Sequence, residues 1–392
     1  MTSGTLDRLP LPSAKDEGWR GTALRTLEGL RLAPDASVTA AVKLRPLLEA
    51  VRSARPGATV VDGTGGEWRR RDGGSWDANV RVQGDALGLA TRPHWMGWSD
   101  GFLWGARLLE SLGSTGAGGM SSLVVRAAGA SNTIVVVGNG GGAGTLRLDV
   151  EPGAVLEVIE LRENGSVDTL AATRAALRVG EKASVRWYRA IAGAGARADD
   201  LEVEVAAGGR FELAHVGAAG KLTRTDLRVF LAGPSATFLL HGLAIGEGTS
   251  ASDFRVGVEH GAPATTSQQE YRMLGNQQST SLFHGRVVIR PQCPGSEAHQ
   301  QSPSLLLYRG ARVQSRPQLE IHTDEVQCSH GSTVGELDAN ALFYLRSRGI
   351  DADAARHLLV EGFAKAVLEP WASLVERSGL ASLDALWKGA VA

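Results

Sequence analysis

Apolar residues alternate with polar ones in short runs from about residue 121 onward, and glycine or proline closes nearly every run, the signature of strands joined by turns. Leu148-Asp149-Val150-Glu151-Pro152-Gly153-Ala154-Val155 and Val203-Glu204-Val205-Ala206-Ala207-Gly208-Gly209-Arg210-Phe211 show the unit: strand, turn, second strand. Similar units recur at Leu146 to Leu161, Ala176 to Tyr188, Leu201 to Val216, Leu227 to Leu243, Arg255 to Tyr271 and Gly285 to Ala298. Their spacing of roughly 26 to 32 residues lies in the range of stacked-repeat folds. One hairpin cannot bury its apolar face alone, whereas stacked units share a continuous core. The pattern therefore predicts a mainly β protein with a β-helix (solenoid) core, with a sandwich as the weaker alternative.

The flanks follow a helical period. Ser37 to Ala54 carries apolar residues at helical spacing, with Pro46 as a kink or restart. Gly63 to Asp77 reads as a loop, and Trp95 to Leu112 as a further helix. At Leu337 the helical period returns. Asp338 caps a helix to about Arg346 that Gly349 ends, Asp351 or Asp353 caps a second up to Glu369, Pro370 stops it, and a third runs from Ser378 to Lys388. The expected division is a partly helical region over 1–120, the β-helix over 121–336 and a helical domain over 337–392. In the last, Leu342, Phe343, Leu345, Leu358, Leu359 and Phe363 would form an internal seam and leave Arg346, Arg348 and Arg356 for a partner. Deleting the chain from about Asp338 should then spare some β-structure.

Composition narrows the function. Fifty glycines and 5% aromatics argue against a helical bundle, and 41 Lys+Arg against 42 Asp+Glu leave no basic field for nucleic acid or an anionic membrane. Runs such as Thr133 to Val137 are far shorter than the roughly 20 residues of a spanning helix. Two cysteines, Cys293 and Cys328, and an N-terminus without a signal-like apolar core predict a soluble, cytoplasmic protein, so the sequon at Asn164 carries no weight.

Most motifs of common chemistry are missing or misplaced. Gly138-Asn139-Gly140-Gly141-Gly142-Ala143 satisfies G-x-G-x-x-A, but a strand follows where a phosphate-binding helix is required, which makes it a glycine turn. Neither a phosphate loop, a G-x-S-x-G elbow, an H-E-x-x-H pair nor a C-x-x-C pair occurs. The chemically dense stretch is Gln318 to Asp338. In a strand, Cys328 and His330 share a face and present a soft thiolate and an imidazole together, a pair suited to iron or another thiophilic metal. Two ligands fall short of a closed site, and a buried structural cysteine beside a satisfied histidine is the competing reading. Asp324 and Glu325 equally suit a solvated turn.

Three blocks carry a resemblance. Arg316-Pro317-Gln318-Leu319-Glu320-Ile321, then Val326-Gln327-Cys328-Ser329-His330-Gly331-Ser332-Thr333-Val334-Gly335-Glu336-Leu337-Asp338, then Leu342-Phe343-Tyr344-Leu345-Arg346-Ser347-Arg348-Gly349-Ile350 are similar to the C-terminal signature of the SufB/SufD family of iron-sulfur cluster assembly proteins. Leu11-Pro12-Ser13-Ala14-Lys15-Asp16-Glu17-Gly18-Trp19-Arg20-Gly21-Thr22 resembles the family's opening, with Gly21 in place of the usual tyrosine. Val258-Glu259-His260, Ser267-Gln268, Tyr271-Arg272 and Phe283-His284-Gly285 form the third echo. The stretch from about 60 to 125 departs from the family.

The chain resembles the SufD branch. Where SufB has Gln-Cys-Asp-Ser-Leu-Leu and Glu-His-Glu, this chain has Gln301-Ser302-Pro303-Ser304-Leu305-Leu306 and Ser329-His330-Gly331. The resemblance implies a non-catalytic scaffold subunit, with a β-helix pairing with SufB and C-terminal helices, here roughly Asp338 to Trp371, docking the ATPase SufC. It places His330 at the SufB interface as a ligand for iron or a nascent iron-sulfur cluster shared with SufB, and leaves Cys328 as an auxiliary ligand. Reduced flavin is associated with the family complex, without an identifiable site in this chain. Two alternatives are a purely structural partner of SufB, and a β-helix carbohydrate- or acyl-modifying enzyme using Asp324 and Glu336 as acid and base.

Overall fold

A computed structural model describes residues 45–55, 58–62, 69–70, 80–83, 122–129, 132–139, 142–218 and 220–374. The expected helices at Trp95 to Leu112 and Ser378 to Lys388, and the block at Leu11 to Thr22, lie outside the described residues. Helix α1 (Arg45–Ala54) begins one residue before Pro46, so the proline sits in the first turn, where its missing N–H costs nothing. Three short strands follow, β1 (Thr59–Asp62), β2 (Arg69–Arg70) and β3 (Val80–Gln83).

The remaining strands come in quick succession: β4 (Ser122–Ala127), β5 (Asn132–Asn139), β6 (Gly142–Val150), β7 (Val155–Asn164), β8 (Leu170–Val179), β9 (Ser184–Gly193), β10 (Ala196–Val205) and β11 (Arg210–Ala218). After them run β12 (Leu222–Leu231), β13 (Thr237–Ile245), β14 (Ala251–His260), β15 (Thr266–Gly275), β16 (Thr280–Ile289), β17 (Ser296–Leu306), β18 (Arg312–Ile321) and β19 (Val326–Glu336). Helices α2 (Ala339–Ser347) and α3 (Ala352–Lys365) close the described chain, with residues 369–374 again helical.

Each strand from β4 on pairs in parallel with the next but one, so odd strands build one sheet, ending at β19, and even strands a second, ending at β18. This is a parallel β-solenoid with two strands per turn. The sequence units are therefore not hairpins: their turns carry the chain across to the other sheet. The register offset is 23 residues at Ser122–Thr145, 26 at Ala196–Leu222 and 32 at Thr280–Arg312, which accounts for the sequence period. One corner is a stack of residues in the left-handed region, Gly153, Lys182, Gly208, Ser235, Ala264 and Gly295. The N–H of each donates to a carbonyl in the following turn, as from Gly208 to Pro234 and from Ala264 to Pro294.

Inward-facing side chains fill the space between the sheets with Leu156, Val158, Leu201, Val203, Leu227 and their equivalents. Toward the C-terminal end aromatic rings stack along the axis, Phe254 on Tyr271 at 4.6 Å and Tyr271 on Phe283 at 4.9 Å. The outer face of the odd-strand sheet is also apolar. Val135, Ile159, Tyr188, Val216, Leu243 and Leu274 are covered by Leu47 and Val51 of α1, by Val360 and Ala364 of α3, and by Trp371 and Leu374. Among the described residues no helix is long and apolar enough to cross a membrane.

Candidate metal-donor edge and helical surface

The solenoid ends on β18 and β19, each bonded to a strand on one side only among the described residues. A terminal parallel strand leaves a row of backbone donors and acceptors available to another chain. Its side chains are correspondingly open: most of β19 is exposed, whereas β17 beneath it alternates buried and more open positions.

Cys328 and His330 lie two residues apart on β19, about 6.6 Å along the strand and on the same face, as the alternation of the sequence predicts. Their environments differ. Cys328 is half-buried above Ala298 and packs against the interior cluster. Burial pushes its thiol up, with a hydrogen bond from the Ala298 backbone in partial opposition, so the protonated form is favoured at neutral pH. His330 is exposed, because among the described residues no strand is stacked beyond β19. Among the described residues no group of three or more His, Cys, Asp or Glu side chains is gathered to hold a metal.

Below His330 the interior column changes character. Val158, Trp187, Leu213 and Leu240 are register partners in successive turns, and the same column continues as Gln269, Gln300 and His330. The two glutamines are buried, and Gln300 Nε2 donates to Gln269 Oε1 at 3.0 Å. Sequence reading missed both, since only the register brings residues about thirty positions apart into one column.

The flanking carboxylates do not form a pair. Asp324 lies in the turn before β19 and Glu336 ends it, so the strand itself holds them about 30 Å apart, well beyond the roughly 5–10 Å of an acid–base pair acting on a glycoside. Both are exposed. The neighbouring edge strand is pinned by Arg286, whose guanidinium grips Glu320 through two hydrogen bonds of 2.8 and 2.9 Å. Those bonds hold the Glu320 carboxyl below its usual range.

The second exposed region is helical. Asp338 caps α2 by accepting from the Asn340 N–H at 2.8 Å, and Asp351 caps α3 by accepting from Asp353 and Ala354. Gly349, at φ +85°, turns the chain between them. Helix α2 buries none of its residues: Phe343 is 75% exposed and Tyr344 56%, with Leu358 of α3 at 47%. The expected internal seam is thus corrected. Phe343 and Leu358 face outward, while α3 turns Ala355, Val360 and Ala364 inward. Arg348 lies over the Tyr344 ring at 5.2 Å, which makes it a prop for that ring. Phe343, Arg346, Gly349, Ile350 and Asp351 line a surface cleft beside these rings.

Residues 134–363, more than half of the chain, match the profile of the SufBD core domain of SUF system FeS cluster assembly. An iron-sulfur cluster assembly SufBD family protein of Synechocystis is 32% identical over 170 residues, 43% of this chain and 38% of the relative. The iron-sulfur cluster assembly protein SufD of Escherichia coli is 31% identical over 150 residues, 38% of this chain and 36% of the relative. A SufBD family protein of Mycobacterium tuberculosis is 28% identical over 384 residues, 93% of this chain and 86% of the relative. The alignments with the first two thus span well under half of those relatives' length.

Proposed function

The chain belongs to the SufBD core family of the SUF system for iron-sulfur cluster assembly, and from that premise we propose that it acts as a SufD-type scaffold subunit, donating His330 to an iron or cluster site completed by SufB. The observation that carries this reading is the exposed imidazole of His330 on the terminal strand of the solenoid, where an edge-to-edge partner would meet it. Neutral imidazole is a competent ligand for iron, and the metal and its nascent cluster are cargo of the assembly. One imidazole and one half-buried thiol leave coordination positions for donors from SufB. Cys328 is the auxiliary donor, because its thiol must first lose its proton or be uncovered.

The SufC surface in this reading is the outward side of α2 and the start of α3. Phe343, Tyr344 and Leu358 are aromatic and aliphatic anchors of the kind that dominate protein interfaces, and Arg346 lies beside them. Nucleotide-driven movement of SufC would pull on these helices. Because α3 is seated on the outer face of the odd-strand sheet, that pull reaches the same sheet to which β19 belongs. The chain supplies position and ligands in this scheme, and turnover belongs to the ATPase.

Reconstitution with SufB and SufC tests the ligand role. His330→Ala should assemble into the complex and fail to accumulate iron and cluster absorbance. Parental cluster yield from an intact variant complex would leave the chain a purely structural partner of SufB.

A further inference from the structure

Gln300 is fully buried, and its Oε1 has no hydrogen-bond partner although its Nε2 donates to Gln269 Oε1 at 3.0 Å. A buried carbonyl oxygen left unmatched is costly enough to require a reason. The amide is held in place from both sides. Gln269 fixes its nitrogen, and on the opposite sheet Gly285 leaves it room: a Cβ at Gly285 would lie 1.7 Å from Gln300 Nε2. The next residue up the column, in register on the adjacent parallel strand, is His330. Because Gln300 donates to Gln269 through its nitrogen, its oxygen is the group left to pair with that residue.

We propose that Gln300 is a positioning residue for His330: its carboxamide oxygen accepts from one ring N–H of His330, fixing a single neutral tautomer and keeping the other ring nitrogen unprotonated as a metal donor. This deepens the reading of His330 as a ligand and rests on it for its purpose, though not for its geometry. The column turns polar where it does because an imidazole that binds metal through one nitrogen needs an acceptor for the other. Leucine, as at positions 213 and 240, packs equally well in the column and offers none.

The full chain, labelled with nitrogen-15 at histidine and free of metal, is examined by long-range proton–nitrogen correlation at a pH of about 8, where imidazole is neutral. The His330 signals are identified by their loss in His330→Ala. One tautomer should dominate in the parent. Gln300→Met, which keeps length and loses the acceptor, should shift the tautomer ratio about fivefold, the equivalent of one ordinary hydrogen bond. Gly285→Ala, which displaces the amide and leaves Gln300 in the chain, should shift it in the same direction, and serves if Gln300→Met does not fold. An unchanged ratio in the folded variants overturns the proposal. If the ratio shifts as expected while the His330→Ala complex still builds clusters, the hydrogen bond stands and the ligand role falls.

Discussion

Trp371 meets Tyr188 edge-on, with ring centroids 5.4 Å apart and planes at 66°, and so ties the segment after α3 to the middle of the odd-strand sheet. Both rings are fully buried, and Arg272 adds a second tie by donating to the Phe363 carbonyl at 2.9 Å. The C-terminal helices are therefore part of the solenoid's packing. Trp371→Ala should lower unfolding free energy by about 3–5 kcal/mol, the range for emptying a large aromatic site. A denaturant midpoint near the parent's would show that the segment is only loosely seated. For the same reason deletion from Asp338 onward uncovers the apolar stripe of Tyr188, Leu243 and Leu274. It should yield an aggregating protein rather than a cleanly folded β-solenoid.

The proposed SufC surface is better tested by point changes. Phe343→Ser and Tyr344→Ser remove exposed rings from a helix with no buried residue, so stability should change by no more than about 0.5 kcal/mol. Co-purification with SufC should nevertheless be lost. Retained binding by the double variant, with unfolding like the parent's, would move the docking surface elsewhere on the chain.

Acid sensitivity is built into the interior. Burial alone would raise the Glu160 carboxyl, but the guanidinium groups of Arg189 and Arg162 outweigh it and hold the group at about 2. Arg162 Nε lies 2.8 Å and Arg189 Nε 2.9 Å from its oxygens, and the Trp187 indole N–H also donates to it. A carboxyl depressed from an unfolded value of about 4.3 contributes stability that is complete above that value and disappears as pH falls toward 2. The depression corresponds to roughly 3 kcal/mol. Glu160→Gln should be less stable than the parent at neutral pH, since it removes one negative charge from the buried cluster of Arg162, Arg189 and Asp199. The difference should shrink as pH falls from about 5 to 2. Parallel stability curves for the two proteins across that interval would show that Glu160 does not carry this term.

Period and punctuation made the solenoid legible, because stacked turns demand repeated apolar positions and repeated corners. They could not show how strands pair. A unit of two strands and a turn reads the same whether the turn doubles back or crosses to a second sheet. At the left-handed corner Gly153, Gly208 and Gly295 announce themselves, whereas Lys182, Ser235 and Ala264 adopt the same conformation without any local signal. Helical spacing likewise put Phe343 and Leu358 on apolar faces but not on which side the solenoid would lie. That Cys328 and His330 share one face of a strand was readable from alternation. Gln300 was not, because its meaning comes from the residue thirty positions later that the register sets beside it.

The two proposed donors on β19 should respond differently to substitution. His330 is exposed, so His330→Ala should cost little beyond its proposed hydrogen bond with Gln300, about 1 kcal/mol. Cluster yield in the reconstituted complex should fall to background if, as proposed, the exposed imidazole is the principal donor to the shared site. Cys328 touches the interior cluster, and its thiol is held protonated by burial. Cys328→Ser sets a hydroxyl against that apolar contact and should cost about 1 kcal/mol, comparable to the change at His330. Its effect on cluster yield should nonetheless be the smaller of the two, since serine keeps the shape and only an auxiliary ligand is lost. The two variants thus cost similar stability and differ in yield, which separates ligation from folding. Equal or greater loss of cluster in Cys328→Ser, at a stability close to the parent's, would make the thiol the principal donor and His330 its support.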